Sequence, residues 1–117
     1  MELIQETKQF KNYLEILEEK YNENKPPESK KDRQFFQMVK NYTAPIYDLL
    51  TEWENHALQA VKERQVNLHP QQITSTKENM ELLMLHSFYI DVKRKRYMEL
   101  NHSIYFILDR LLDELQK

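Results

Sequence analysis

Residues 76–117, TKENMELLMLHSFYIDVKRKRYMELNHSIYFILDRLLDELQK, contain neither glycine nor proline and decide how the chain folds. Apolar or tolerant residues at Met80, Leu83, Met84, Ser87, Ile90, Tyr97, Ile104, Leu108, Leu111 and Leu115 keep helical spacing throughout. An unbroken helix of this length would reach about 60 Å at 1.5 Å per residue. Met80 to Ile90, however, is apolar on nearly every side, a pattern that asks for several packing neighbours rather than one. The chain must therefore turn back, and the polar patch Asp91 to Arg96 is where the sequence allows it, with Asp91 available to cap a following helix.

Upstream, Ser75-Thr76-Lys77-Glu78 matches a capping box, which predicts a third helix from residue 76, after a break at Asn67-Leu68-His69-Pro70. The second helix shows Phe35, Val39, Tyr42, Ile46, Leu49, Trp53, His56 and Ala60 in steps of four and three, with Ser29 as its expected cap and the acids Glu28 and Asp32 at its positive end. The phase survives Pro45. This predicts one long helix kinked near that residue, the alternative being a break over Asn41 to Ala44. In the first helix Leu3, Thr7, Phe10, Leu14, Leu17 and Tyr21 form one face, widened by Tyr13 and Ile16, and the period ends in Asn22-Glu23-Asn24-Lys25-Pro26-Pro27. The expectation is an all-α, antiparallel up-and-down four-helix bundle with helices near 2–22, 30–65, 76–90 and 92–116. At 117 residues it forms a single domain over 1–117.

Composition narrows the function classes. The absence of cysteine removes thiol catalysis, iron–sulfur clusters and cysteine zinc sites. Glycine is also absent, where average usage of about 7% would give roughly eight, so Gly-rich phosphate loops and Rossmann turns lack their usual residue. Seventeen basic against nineteen acidic side chains leave a net charge of −2, which recruits neither nucleic acid nor an anionic membrane. The start Met1-Glu2-Leu3-Ile4-Gln5-Glu6 carries acid where a secretory signal carries base, and Met80 to Ile90 is far short of the ~20 residues of a membrane helix. A cytoplasmic location without membrane association is the expectation.

His69-Pro70-Gln71-Gln72-Ile73, then Glu78-Asn79, Leu82-Leu83 and His86-Ser87, then Lys93-Arg94-Lys95-Arg96, together resemble the YppE-like family of small helical-bundle proteins from Bacillus-type bacteria. The resemblance covers essentially the whole chain. It implies a four-helix up-and-down bundle in a bacterial cytoplasm and transfers no activity and no catalytic residue.

Four chemical readings of the residues remain. His56, His86 and His102 fall on three predicted helices, and the first two lie about ten residues from opposite sides of one connection. Facing imidazoles at one depth could hold zinc, nickel or iron, whereas the structural reading is hydrogen-bonded histidines with no metal. A ferritin-like centre needs two Glu-x-x-His pairs, and only Glu99-Leu100-Asn101-His102 fits. Arg96 and His102 have the loose spacing that resembles the site of HEPN-class ribonucleases, with the histidine as acid or base and the arginine on phosphate. Arg64 and His69 repeat that spacing by coincidence. Lys93-Arg94-Lys95-Arg96, flanked by Tyr89 and Tyr97, is a local basic run that suits an acidic protein partner better than nucleic acid.

The thirteen aromatics serve core filling at Phe10, Tyr13, Phe35, Tyr42, Trp53, Phe88 and Phe106 and require no cofactor. Phe35-Phe36 and Leu82-Leu83-Met84-Leu85 exceed what one helix face buries, leaving surplus for another helix or a partner. The sequence thus points to a non-catalytic protein-interaction module, a monomer or weak homodimer, with Tyr89, Lys93, Arg94 and Arg96 as partner-binding residues and its partner unknown.

Overall fold

Ile90 ends the run of apolar residues by adopting the left-handed conformation, φ 50° and ψ 43°, while its N–H closes onto the His86 carbonyl at 3.0 Å. The chain reverses there. A computed structural model describes residues 1–23 and 32–117. It shows four helices, α1 (Glu2–Glu23), α2 (Arg33–Lys62), α3 (Pro70–Tyr89) and α4 (Arg94–Leu115), and no strand among the described residues. The reversal between Ile90 and Arg96 is as the sequence predicts, and the single helix through 76–117 is excluded.

Three starts differ from expectation. Helix α2 takes Asp32 as its N-cap, accepting the Phe35 N–H at 3.1 Å, and begins at Arg33; the expected cap Ser29, Glu28 and the loop at Asn24 to Pro27 lie outside the described residues. Helix α3 begins at Pro70 rather than 76. His69 Nδ1 accepts the Gln71 N–H at 3.1 Å and Gln72 Oε1 accepts the His69 N–H at 2.8 Å, so the capping box is His69/Gln72, with proline at N1 where a missing N–H does no harm. Ser75 therefore sits inside the helix, its hydroxyl accepting from Gln71 Nε2 at 3.2 Å. Helix α4 is preceded by Lys93 without a side-chain cap, because Asp91 is engaged with His86 Nδ1 at 2.7 Å instead.

Helix α2 runs without a break through Pro45, so the alternative break over Asn41 to Ala44 is not found. Both Pro45 and Asn41, whose carbonyl loses its partner, face solvent, where water replaces the missing bond. At the far end of α2 a Schellman motif closes the helix: the Gln65 N–H reaches Ala60 O at 2.9 Å and the Arg64 N–H reaches Val61 O at 3.1 Å. The position that glycine usually fills is Arg64, at φ 60°. Lacking glycine, the chain spends an arginine and an isoleucine on the two left-handed positions found among the described residues.

Neighbouring helices run antiparallel. Glu6 near the start of α1 meets His56 late in α2, Phe35 at the start of α2 meets Tyr89 at the end of α3, and Lys11 of α1 meets Asp109 of α4. Helices α1 and α3 approach across the diagonal, whereas α2 and α4 occupy the other two corners, their Cα atoms more than 8 Å apart among the described residues. The described bundle measures 48 × 27 × 21 Å.

All six residues of the predicted α1 face are buried, against Trp53, Ile46 and Leu50 of α2, Met80, Leu83, Met84 and Phe88 of α3, and Tyr97, Ile104, Leu108 and Leu111 of α4. Buried hydroxyls are satisfied within their own helices: Thr7, Thr43, Thr76 and Ser87 each donate to the carbonyl four residues back, at 2.7–2.8 Å. The all-round burial expected of Met80 to Ile90 is incomplete, since Leu82 and Leu85 remain exposed. Phe106, expected in the core, is 59% exposed.

Candidate functional site

The turn between α3 and α4 is built on stacked tyrosines. Tyr21 lies face to face with Tyr97, centroids 4.0 Å apart, and its hydroxyl donates to Val92 O at 2.6 Å, fixing the backbone just before α4. Tyr97 in turn shares a 2.7 Å hydrogen bond with Ser87, and burial drives its phenol pKa up to about 12. On this frame Lys93, Arg94, Lys95 and Arg96 are all exposed. Arg94 hydrogen-bonds the Asn22 side-chain oxygen, and Arg96 meets one carboxylate, Glu99, at 3.7 Å. Tyr89, half-buried, packs its ring edge-on against Phe35 at 5.3 Å. The structure thus places Tyr89, Lys93, Arg94 and Arg96 at one end of the bundle.

The three histidines do not converge. His56 Nδ1 lies 2.8 Å from Glu6 Oε1 and its Nε2 lies 3.5 Å from Glu2, near the start of α1. The hydrogen bond that His56 donates to Glu6 raises the His56 pKa, partly offset by desolvation, with the charges of Glu6, Glu2 and Glu52 adding to the rise. His86 pairs with Asp91 at the opposite end, and His102 faces a groove between α3 and α4. The equal-depth reading assumed a helix from 76. With α3 starting at Pro70, His86 is 16 residues along it, about 24 Å of rise, whereas His56 is only a turn and a half from the end of α2. No group of three or more His, Asp or Glu side chains among the described residues is arranged to hold a metal ion.

Arg96 and His102 also fail to share a cleft. Six residues apart on α4, they are separated by about 9 Å of rise and point in different directions around the helix, and Arg96 does not line the groove that His102 borders.

That groove has a volume of about 490 Å³. Gln71, Gln72, Ser75, Thr76 and Asn79 form its α3 wall; His102, Ser103, Phe106 and Ile107 form its α4 wall. Its signal in the sequence is the phase of Phe106, two residues off both Ile104 and Leu108 and therefore about 200° around the helix from either. The surplus of apolar side chains at Phe36, Leu82, Leu85 and Phe106 faces outward, not toward another helix of this chain.

Residues 7–115 match a family model described as a bacterial domain of unknown function, DUF1798. The chain is similar to the uncharacterized protein YppE of Bacillus subtilis (strain 168), 27% identical over 116 residues, which span 98% of this chain and 93% of that protein. Its fold is similar to the crystal structure of yppE from Bacillus subtilis, with a TM-score of 0.83 at 25% identity, covering 97% of this chain and 92% of that one. The solution NMR structure of yppE matches with a TM-score of 0.77 at 23% identity over 99% and 94% of the two chains.

Proposed function

This chain belongs to the bacterial DUF1798 family, whose function is unknown, and from that premise we propose that it is a non-catalytic protein-interaction module taking an acidic partner at the turn between α3 and α4. The contact residues are Tyr89, Lys93, Arg94 and Arg96. One observation carries the reading: four consecutive cations stand at the N-terminus of α4, where the helix dipole is itself positive, with no acid in the first turn and no capping side chain. A helix end selected for its own stability carries acid there, worth about 0.3–1 kcal/mol per charge. Among the described residues Lys93, Arg94 and Lys95 meet no carboxylate, so no described side chain relieves the conflict. A local rule broken without compensation among the described residues supports a surface kept for something else, and an acidic segment of a partner would supply the opposite charge.

The reading extends to a single domain over residues 1–117, a bacterial cytoplasmic location, and a monomer or weak homodimer. No helix among the described residues is long and apolar enough to cross a membrane.

The test is capture by the full chain beside a triple variant, Lys93→Glu, Arg94→Glu and Arg96→Glu, at low and high salt. The wild type should retain a discrete partner that salt displaces. The variant should retain none while melting no lower, because acid suits this helix end. Identical capture by both proteins would refute an electrostatic surface at this turn.

A further inference from the structure

We propose that the groove between α3 and α4 binds a neutral purine, as free base or nucleoside, stacked on Phe106 and hydrogen-bonded by Asn79 and Ser103. The groove lies along the first half of α3 and the middle of α4, away from the basic turn, and the inference is independent of the reading above.

Its lining is selectively uncharged. Charged residues make up 31% of the chain, yet none of the nine lining residues, of which only Thr76 and Ile107 are buried, is Asp, Glu, Lys or Arg. A phosphate or carboxylate entering here would find no counterion, so the occupant is neutral. The volume, about 490 Å³, falls within the usual range of about 300–1,000 Å³ for small-molecule sites.

Hydrogen-bonding capacity remains after the internal bonds are counted. Gln71 Nε2 is used on Ser75, Gln72 Oε1 on the His69 N–H, and the Thr76 hydroxyl on Gln72 O. Asn79, Ser103 and His102 have no protein partner among the described residues. An asparagine amide sets one donor beside one acceptor, which matches the N7 and amino edge of adenine.

Phe106 supplies the other half of base recognition, an exposed phenyl ring beside buried Ile107 on the α4 wall of the groove. A leucine-rich helix laid in the groove would cover Phe106 but strand the Asn79 amide and the Ser103 hydroxyl without partners. A polar-edged aromatic ring satisfies both.

The test is a titration of the isotopically labelled full chain with adenosine, followed by amide chemical shifts, with uridine, ribose and adenosine monophosphate as comparisons. Saturable shifts at Asn79, Ser103 and Phe106 are expected, weaker for uridine and absent for ribose, with no gain from the phosphate. Phe106→Ala should weaken binding about tenfold through lost stacking, and Asn79→Leu should also weaken it; both sites are surface positions, and an unchanged melting temperature shows the fold intact. Absence of saturable shifts at millimolar adenosine overturns the proposal. So do equal binding of ribose or uridine, tighter binding of the monophosphate, or binding that Phe106→Ala leaves unaltered.

Discussion

Trp53 Nε1 donates to the Thr7 hydroxyl at 3.1 Å, and that hydroxyl donates onward to Leu3 O at 2.7 Å. The relay fastens the middle of α2 to the first turns of α1 inside the core, with the indole fully buried and Phe10 set edge-on to it at 5.9 Å.

Trp53→Ala should accordingly cost about 3–5 kcal/mol, mostly as cavity. Thr7→Val keeps the shape but leaves the indole N–H without an acceptor, for a cost of about 1–3 kcal/mol. Urea unfolding of the two variants measures both, and a loss below about 1 kcal/mol for Trp53→Ala would contradict its place in the core.

Alkali should unfold the protein in a defined window. Tyr97 ordinarily titrates near 10, and burial in the folded state lifts it to about 12; burial raises Tyr42, Tyr47 and Tyr105 as well. A group whose folded pKa is raised contributes stability that is complete below its unfolded value and is lost as pH climbs to its folded value. For Tyr97 that is the window from pH 10 to about 12, with a loss on the order of 2–3 kcal/mol. Circular dichroism in urea between pH 9 and 12 follows it, and Tyr97→Phe should flatten the slope.

The α1 face was fully legible because Leu3, Thr7, Phe10, Leu14, Leu17 and Tyr21 meet one continuous core, so the 3.6 period translates directly into burial. The start of α3 was not, because Ser75 and Glu78 satisfy the capping template as well as His69 and Gln72 do. A local hydrogen-bond motif cannot rank two matches six residues apart; proline at N1 and burial of Ile73 decide in favour of the earlier one. That displacement alone undoes the common depth of His56 and His86. In α2 the buried line runs through Thr43, Leu50 and Ala57, one residue beyond the expected Tyr42, Leu49 and His56, because two neighbours share its face rather than one. The basic run was visible as charge, but its conflict with the dipole of α4 emerged only once the helix start was fixed at Arg94.

Arg64→Gly should stabilise the fold. Its φ of 60° within the Schellman motif costs a side chain with a Cβ about 1–2 kcal/mol relative to glycine, part of which is returned by glycine's freer unfolded state. The exposed arginine packs nothing in the core, so a net gain of about 0.5–1 kcal/mol is expected in thermal or urea unfolding. Arg64→Val, β-branched at the same φ, should move stability the other way.

His56 should titrate above its ordinary value of 6.5, because the Glu6 carboxylate accepts its hydrogen bond. The pair stabilises the fold fully below pH 6.5 and progressively less as pH rises through the raised folded value. Glu6→Gln should bring the imidazole back toward 6.5 and remove that segment of the pH dependence, both readable from histidine proton shifts and unfolding curves. An unchanged His56 titration in Glu6→Gln would contradict the assignment.

His56, His86 and His102 stand at separate places, two of them engaged with carboxylates, so no set of imidazoles presents three lone pairs to one ion. Chelator should leave the melting temperature unchanged, and elemental analysis of protein from the native host should return no stoichiometric zinc, nickel or iron; a chelator-sensitive melt abolished by His56→Ala would restore the metal reading. The same separation applies to Arg96 and His102. A ribonuclease needs the imidazole and the guanidinium on one phosphodiester, yet Arg96 lies toward Glu99 at the start of α4 and His102 borders a groove without a cation. Incubation with single-stranded and structured RNA should therefore give no cleavage beyond that seen with Arg96→Ala and His102→Ala. Cleavage lost in both variants, with the bundle still folded, would show that the two side chains reach one substrate across that distance.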